Sequence, residues 1–417
     1  MCVCRWLGPA VAVCAAASAL AAQLEIPYVS ELAYDQPRVA VYLRDAADFL
    51  PHGTGGYAMP GLLDTGAAAH VFPKYLADIA EAPIDPAGQA EILTLCGYPE
   101  FLDITFPLRV GVGPYESEDE SDFVEVGPHR AAVRTIDPVG AELLGFPAII
   151  GTPFLKEYSV FIDWQLIEIW PGIELPSLVS TPRPAGQPAP APVDLTMDLT
   201  MFGETNDDIN LSLPTAWHVP FADVVLGHGD NRQRRRFIVD TGAQITFISS
   251  ELALALGIDL DNPVPDSALP VVGAGACSVT LYGYFVDKLM LVTRQNVALV
   301  FIQPLVYVLD VPGIDGGIGS NTLFFFEELQ AVDIDLHNRR IDLDLNVPVP
   351  LAGDLTGDGK CNIFDLQRLA ASWNRSFGDP AYNELADVNL DARVNILDLQ
   401  QLAKDWNKTP PAVASGP

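Results

Sequence analysis

The stretch Phe237-Ile238-Val239-Asp240-Thr241-Gly242-Ala243 decides the fold of this 417-residue chain. Its last four residues occur a second time as Asp64-Thr65-Gly66-Ala67, after the apolar run Gly61-Leu62-Leu63. At average residue usage, a given tetrapeptide occurs by chance at roughly one position in 10⁵. Two copies in the same local context therefore indicate a duplicated unit, which places one carboxylate at the end of each of two strands.

The residues around the two copies follow one plan. Each copy is preceded by a β-rich run and followed by an apolar strand and a short helix. Each region then reaches an apolar-Gly element, Ile149-Ile150-Gly151 in the first and Gly317-Ile318-Gly319 in the second, and closes with a pair of strands. Many short β runs and few helical periods predict a mainly β architecture.

The chain is too long for one hydrophobic core and divides into several segments. Arg5, an apolar run over 11–17 and Ala19-Leu20-Ala21 are typical of a secretory signal. Five prolines between Pro182 and Pro192 predict an extended linker. We predict a signal peptide over 1–22, a first lobe over 23–175, a Pro-rich linker over 176–193, a second lobe over 194–348 and a C-terminal unit over 353–408.

The duplicated Asp-Thr-Gly-Ala and the apolar-Gly elements resemble the aspartic peptidases. Ala after the glycine is most similar to the retropepsin-like enzymes, and two copies on one chain resemble the two-lobed pepsin plan or a fused retropepsin dimer. The resemblance implies two homologous β-lobes that form one cleft. Gly317 stands where the family prefers an apolar residue, which is a departure in the second lobe.

The resemblance implies that Asp64 and Asp240 form the catalytic pair. Two adjacent carboxyls cannot both ionise at low cost, so they share a proton, and the ionised one activates a water molecule. Thr65 and Thr241 would hold the two loops across the lobe junction, and Gly66 and Gly242 would let the backbone pass close to the carboxyls.

We therefore expect a secreted aspartic endopeptidase that needs no cofactor for catalysis and acts on polypeptides. The alternative is a protein on the same scaffold that binds peptides or surfaces without turnover. The sequence contains no Gly-x-Ser-x-Gly and no His-Glu-x-x-His motif. Candidate flaps over the cleft are Leu95-Cys96-Gly97-Tyr98 in lobe 1 and the run from Val271 to Ala276 in lobe 2.

The C-terminal unit contains a duplicated loop with the spacing of an EF-hand Ca²⁺ loop. Oxygen-bearing side chains stand at positions 1, 3, 5, 9 and 12, and position 7 binds through its main-chain carbonyl. The predicted metal-binding residues are Asp354, Thr356, Asp358, Lys360, Asn362 and Asp365 in the first loop, and Asp387, Asn389, Asp391, Arg393, Asn395 and Asp398 in the second.

These loops, each followed by a helical run, resemble a type I dockerin, a small helical EF-hand pair. The resemblance implies structural Ca²⁺ and a cohesin-like or cell-surface partner. Two departures stand out. Ala392 replaces the turn glycine of the second loop, and Ile363-Phe364 and Ile396-Leu397 stand where dockerins usually carry Ser/Thr-type contact residues. These four side chains either contact a partner or pack internally.

The overall charge limits the possible partners. The chain has 54 acidic and 23 basic residues, a net charge of −31 at pH 7, which argues against a nucleic-acid partner. After the predicted signal, no apolar run is long enough to span a membrane, so we expect the mature protein to be extracellular or periplasmic. Three cysteines would remain, Cys96, Cys277 and Cys361. An odd number cannot all pair, which excludes a disulfide framework but leaves open a single Cys96–Cys277 bridge.

Overall fold

The computed structural model describes residues 23–27, 30–45, 51–52, 58–93, 99–115, 117, 120–137, 147–170, 172–202, 219–261, 263–272, 278–389 and 391–410. The chain divides into two compact units, Leu24–Val349 and Pro350–Pro410. The predicted signal peptide and the flap residues 95–98 and 273–276 lie outside the described residues. Among the helices that are described, none is both long and apolar enough to cross a membrane.

The first half of the larger unit, lobe 1, consists mainly of short strands. These are β1 (Gln23–Ile26), β2 (Arg38–Asp45), β3 (Pro51–His52), β4 (Met59–Leu63), β5 (Val71–Phe72), β6 (Ile84–Leu93), β7 (Pro99–Thr105), β8 (Leu108–Pro114), β9 (Val124–His129), β10 (Ala132–Arg134), β11 (Ala148–Ile150), β12 (Tyr158–Trp170) and β13 (Ile173–Pro184), with helices α1 (Lys74–Ile79) and α2 (Thr152–Leu155).

The second half, lobe 2, repeats this order. Its elements are β14 (Leu195–Met201), β15 (Pro220–His228), β16 (Asn231–Asp240), β17 (Phe247–Ile248), β18 (Ser267–Val272), β19 (Ser278–Phe285), β20 (Lys288–Val292), β21 (Ala298–Ile302), β22 (Leu305–Val308), β23 (Gly316–Gly319), β24 (Leu329–Asp335) and β25 (Arg340–Leu345), with helices α3 (Ser250–Ala255) and α4 (Ser320–Leu323).

Equivalent strands pair in the same way in both lobes. In lobe 1, β4 runs parallel to β11 and β5 runs parallel to β10. In lobe 2, β16 runs parallel to β23 and β17 runs parallel to β22. The predictions of a mainly β fold and of two homologous lobes are confirmed.

The two lobes are joined by a shared sheet of closing strands. Strand β12 pairs antiparallel with β24, with Val160 opposite Ile334 and Asp163 opposite Ala331. Strand β13 flanks β12, β25 flanks β24, and β14 completes this edge by pairing with β25. A partly buried ion pair between Arg183 and Asp333 bridges the lobes. The two halves therefore form one unit.

The segment without regular strands is shorter than the Pro-rich linker that we predicted over 176–193. Strand β13 continues to Pro184 and pairs with β12 along its length, so only residues 185–194 remain outside regular strands. Pro176, Pro182 and Pro184 are separated by even numbers of residues. Alternate positions of a strand direct their main-chain nitrogen to the same side, so the intervening residues can maintain the ladder with β12.

The smaller unit contains two helices, α5 (Ile363–Ala371) and α6 (Ile396–Asp405). Each begins with a capping box, Asn362 with Asp365 and Asn395 with Asp398, so loop residues also start the helices. The two ends of the unit are tied together, because the Asn407 amide donates to the carbonyl of the fully buried Cys361 at 2.9 Å. This unit has the duplicated loop–helix organisation that the sequence predicts.

Candidate active site

Asp64 and Asp240 lie at the carboxyl ends of equivalent strands. Asp64 directly follows β4, whose last residue Leu63 is opposite Ile150 of the parallel strand β11. Asp240 ends β16 and is opposite Gly319 of the parallel strand β23. Both apolar-Gly elements therefore lie beside an Asp-Thr-Gly loop, including the divergent element of lobe 2.

Each carboxylate is held by the main chain of its own loop. Asp64 Oδ1 accepts hydrogen bonds from the amides of Gly66 at 2.8 Å and Ala67 at 3.0 Å. In lobe 2 the equivalent amides both donate to Asp240 Oδ1 at 3.0 Å. These main-chain bonds orient the two side chains.

Thr65 and Thr241 hydrogen-bond reciprocally across the lobe junction. Thr65 Oγ1 accepts from the Thr241 amide at 3.1 Å and donates to the Val239 carbonyl at 2.5 Å. Thr241 Oγ1 accepts from the Thr65 amide at 3.1 Å and donates to the Leu63 carbonyl at 2.7 Å. Both threonines are fully buried. Four bonds therefore fix one loop against the other.

The two glycines allow each loop to touch the opposite carboxyl group. A Cβ on Gly66 would lie 2.6 Å from Cγ of Asp240, and a Cβ on Gly242 would lie 2.4 Å from Cγ of Asp64. Any side chain at either position would overlap the carboxyl group. The same contacts show that the structure brings both carboxyls together at one point between the lobes.

The carboxyl groups of Asp64 and Asp240 together favour binding of one proton. Burial raises the pKa of Asp64 well above its ordinary value, and the charge of Asp240 and a hydrogen bond between the two carboxyls raise it further. Burial also raises the pKa of Asp240, but the hydrogen bond from Asp64 opposes this shift. The two carboxyls therefore titrate as a pair that shares one proton.

The departure at Gly317 has a packing explanation. A Cβ at Gly317 would lie 2.3 Å from the ring of Phe247, and one at Gly316 would lie 2.5 Å from the ring of Phe237. Both phenylalanines are buried, Phe247 in the cluster that also contains Ile245. Aromatic rings from neighbouring strands thus fill the space that an apolar residue on β23 would occupy.

The segment before β2 contacts the lobe 2 loop, which the sequence did not predict. The Ala33 amide donates to the Gln244 carbonyl at 2.8 Å, and Gln244 Nε2 donates back to the Ala33 carbonyl at 2.9 Å. Gln36 Nε2 donates to the Gly242 carbonyl. Asn321 Nδ2 donates to the Ser30 carbonyl at 3.0 Å. In the sequence, Gln244 stands two residues after Gly242, whereas Gln36 and Asn321 are far from both Asp-Thr-Gly motifs.

The metal residues predicted in the C-terminal unit surround buried carboxylates. Asp365 and Asp398, at position 12 of the two loops, are 0 % exposed. Asp365 Oδ1 accepts from the Thr356 amide at 2.8 Å, and Asp354 Oδ2 accepts from the Gly359 amide at 2.7 Å, so the first loop folds around its acidic residues. The second loop does the same, with the Asn395 amide 2.7 Å from Asp398 Oδ2.

The chemistry of these loops fits a hard divalent cation. Burial raises the pKa of Asp398 to about 6, and the charges of Asp387 and Asp391 raise it as well. Buried carboxylates that raise one another's pKa in this way are stabilised when a cation lies between them. Asp358, Asn362 and their counterparts Asp391 and Asn395 add further oxygens from the same loops. We therefore find that the residues present suit Ca²⁺.

The four apolar side chains of the contact positions do not pack internally. They stand in the first turn of α5 and of α6, and each is half exposed: Ile363 50 %, Phe364 59 %, Ile396 53 % and Leu397 50 %. The duplication thus presents two equivalent apolar pairs at the surface of this unit.

Comparison with known proteins assigns two parts of the chain. Residues 224–322 match the family described as Aspartyl protease, and residues 352–406 match the Dockerin type I domain. The aspartyl protease match runs from β15 into α4 and includes Asp240, Thr241 and the Gly319 crossover.

Solved structures and curated proteins were compared as well. The chain is similar to the crystal structure of Basic 7S globulin from soybean, with 12 % identity and a TM-score of 0.37 over 74 % of this chain and 96 % of that one. It is also similar to aspartic proteinase from Irpex lacteus, with 12 % identity and a TM-score of 0.36 over the same shares. No curated protein sequence matches the chain.

Proposed function

We propose that the aspartyl protease region is a secreted aspartic endopeptidase in which Asp64 and Asp240 form the catalytic pair. The observation that carries this proposal is the placement of both carboxyls against the opposite Asp-Thr-Gly loop. The hydrogen bonds between Thr65 and Thr241 support it, because they hold the pair in one geometry.

In the mechanism that we propose, Asp64 holds the shared proton and Asp240 is ionised. Asp240, ionised, removes a proton from a water molecule bound between the carboxyls, and this water attacks the carbonyl carbon of the peptide bond. Asp64, protonated, donates to the carbonyl oxygen as charge develops there. The C–N bond then breaks: the proton taken up by Asp240 passes to the leaving amine nitrogen, and a hydroxyl of the tetrahedral intermediate returns its proton to Asp64, which restores the starting state. Water is the nucleophile, so this chemistry uses no catalytic cofactor.

Turnover of an unfolded protein substrate tests the proposal. We expect cleavage at internal peptide bonds and inhibition by pepstatin, which occupies the site of the attacking water. A protein on this scaffold that only binds peptides would retain the peptide intact. Mass spectrometry of the products separates the two outcomes, and a complete absence of cleavage between pH 3 and pH 8 would exclude the peptidase.

The residue that follows each Asp-Thr-Gly predicts the pH range. Ala67 and Ala243 have no hydroxyl to stabilise the ionised carboxylate, which favours activity at mildly acidic to neutral pH. We expect Ala67→Ser together with Ala243→Ser to shift the pH–rate profile downward by about 0.5–1 unit, because each new hydroxyl hydrogen-bonds the charged form. Measurement of kcat/KM against pH tests this, and an unchanged or upward shift contradicts it.

We further propose that the dockerin domain binds Ca²⁺ in both loops. Asp354, Asp358, Asn362 and Asp365 would hold one ion, with Thr356 and the Lys360 carbonyl. Asp387, Asn389, Asp391, Asn395 and Asp398, with the Arg393 carbonyl, would hold the other. Bound Ca²⁺ neutralises the buried carboxylates and so stabilises the fold of this domain.

The two loops should differ in affinity. Ala392 has φ +67° and Gly359, its counterpart, has φ +78°, a conformation that disfavours residues with a Cβ. We expect Ala392→Gly to raise the Ca²⁺ affinity of the second loop by about 3- to 10-fold. Gly359→Ala is the matched opposite change, since a Cβ there meets no atom within 4 Å. Isothermal titration calorimetry measures both, and equal affinities in all three proteins would contradict the prediction.

We propose that the dockerin domain attaches the enzyme to a cohesin-type receptor through its exposed apolar pairs. Phe364 and Leu397 occupy equivalent places in the two repeats. Binding of purified cohesin domains to the full chain tests this, and we expect Phe364→Ser with Leu397→Ser to weaken it by about 100-fold or more. Unchanged binding of the double variant would show that these side chains do not contact the receptor.

A further inference from the structure

A buried imidazole lies beneath the Asp64 loop. His70 is 0 % exposed, and its Nδ1 accepts a hydrogen bond from the Gly151 amide at 3.3 Å. Only a neutral imidazole can accept at Nδ1, and its proton is then on Nε2. The bond therefore exists in one protonation state of His70.

The Gly151 peptide lies between two bonds that hold the Asp64 loop. The Asp64 amide donates to the Ile150 carbonyl at 3.0 Å, and the Thr152 amide donates to the Ala67 carbonyl at 2.9 Å. The Ala67 amide in turn donates to Asp64 Oδ1. Ile150 and Thr152 flank Gly151 and both hydrogen-bond the Asp64 loop. A displacement of Gly151 would therefore displace the Asp64 carboxylate as well.

Lobe 2 makes the same bond with a different side chain. Thr246, six residues after Asp240 as His70 is after Asp64, accepts from the Gly319 amide through Oγ1 at 3.1 Å. Its hydroxyl also contacts Asn321 Oδ1 at 2.9 Å and Thr322 Oγ1 at 2.7 Å. Here the acceptor belongs to a polar network that does not titrate.

Lobe 1 lacks this network. Pro153 and Phe154 stand at the positions of Asn321 and Thr322, and among the residues that the structure describes His70 Nε2 has no hydrogen-bond partner. The imidazole stacks instead on His129 of β9, with the ring centroids 5.9 Å apart. A protonated His70 would face another basic ring rather than an acceptor.

We propose that neutral His70 is a positioning residue: its hydrogen bond from the Gly151 amide holds the end of β11 in place, and with it the carboxylate of Asp64. Protonation of His70 breaks this hydrogen bond and removes the support. This inference rests on the proposed function of Asp64. It predicts that lobe 1 sets a lower pH limit for catalysis that lobe 2, with Thr246, does not share.

The surroundings of His70 define the pH window. Burial and, to a smaller extent, the charge of His129 lower the pKa of His70 to about 3. His129 faces Glu157 and Lys156 in turn. Unfolded, the imidazole takes up a proton below about pH 6.5. Because the unfolded chain binds this proton first, the free energy of unfolding falls as the pH drops from there to about 3.

Three variants of the full chain test the proposal. His70→Leu removes the acceptor, and we expect kcat to fall by about 10- to 100-fold with KM nearly unchanged. His70→Asn places Oδ1 near the position of Nδ1 without a titratable group, and we expect it to restore most of kcat and extend activity to lower pH. His337→Thr, at an exposed histidine, is the control and should leave both kcat and the pH profile unchanged.

Thermal unfolding between pH 7 and pH 3 gives a second readout, independent of turnover. The difference in Tm between His70→Asn and the wild type should increase in favour of the variant as the pH falls. The Tm of His337→Thr should show the same dependence on pH as that of the wild type. The proposal is overturned if folded His70→Leu keeps the wild-type kcat, or if His70→Asn keeps the wild-type acid limit and Tm profile. An inactive wild type whose His70→Asn variant still gains Tm in acid would refute the proposed peptidase and leave the titration of His70 intact.

Discussion

Replacing either aspartate of the pair with asparagine should abolish peptide hydrolysis. Asp64→Asn removes the group that protonates the carbonyl oxygen, and Asp240→Asn removes the base that activates water. We expect kcat to fall by about 10³- to 10⁴-fold in each case, because neither carboxyl can perform both tasks. Initial rates on an internally quenched peptide measure this loss.

The fold should survive both substitutions. Burial raises the pKa of Asp64, so the folded chain pays to ionise this group as the pH rises above about 4, and asparagine removes that cost. The Tm of Asp64→Asn should therefore equal or exceed that of the wild type at neutral pH, with the difference shrinking in acid. Asp230→Asn, at an exposed turn, is the matched control. A single variant with wild-type turnover would rule out one shared site.

Removing Ca²⁺ should unfold the dockerin domain and leave the peptidase intact. A ligand at 1,000 times its Kd stabilises the folded state by about 4 kcal/mol per site. Two such sites contribute about 8 kcal/mol, more than the roughly 3–5 kcal/mol that a hydrophobic core of this size supplies. Differential scanning calorimetry of the full chain with EDTA should therefore lose one transition, which belongs to residues 353–408.

The larger unit provides the internal control for this experiment. The duplicated Ca²⁺ loops lie wholly within the dockerin domain, so cleavage of a soluble peptide should continue in EDTA. Asp354→Ala should lower the domain's Tm more than Asp387→Ala, because the first loop has Gly359 where the second has Ala392. A single transition that EDTA does not move would contradict the metal assignment. Loss of peptidase activity together with the domain would contradict its independence.

Several features of the site could be predicted because they are local. Asp-Thr-Gly-Ala after an apolar run contains, within seven residues, the strand, the turn and the carboxylate, and its repetition indicates the second lobe. The Ca²⁺ loops are local in the same sense. Each places its oxygens within twelve residues and starts its own helix through Asn362 or Asn395. Short-range spacing is enough to specify such units.

Other features depend on which distant segments meet. The Pro-rich segment has the composition of a linker, yet part of it is strand β13, because β12 offers a long partner edge. Gly317 departs from the family pattern by itself, but the ring of Phe247 fills its place. Gln244 and Asn321 gain their roles from contact with residues 30–33, about 200 positions or more earlier in the chain.

The sequence by itself determined the duplicated β-lobes, the two candidate carboxylates, the threonines and glycines around them, and the helical Ca²⁺-loop domain. Each of these features is specified by residues only a few positions apart in the chain, and so short a segment can adopt few other conformations. The family resemblance implied that the Asp64 and Asp240 loops meet in one cleft. Only the tertiary structure gave the contacts between them, the sheet that the lobes share, and the hydrogen bond from the Gly151 amide to His70 in place of a threonine. Those outcomes depend on packing between residues far apart in sequence, where burial and hydrogen-bond partners are set by the whole fold.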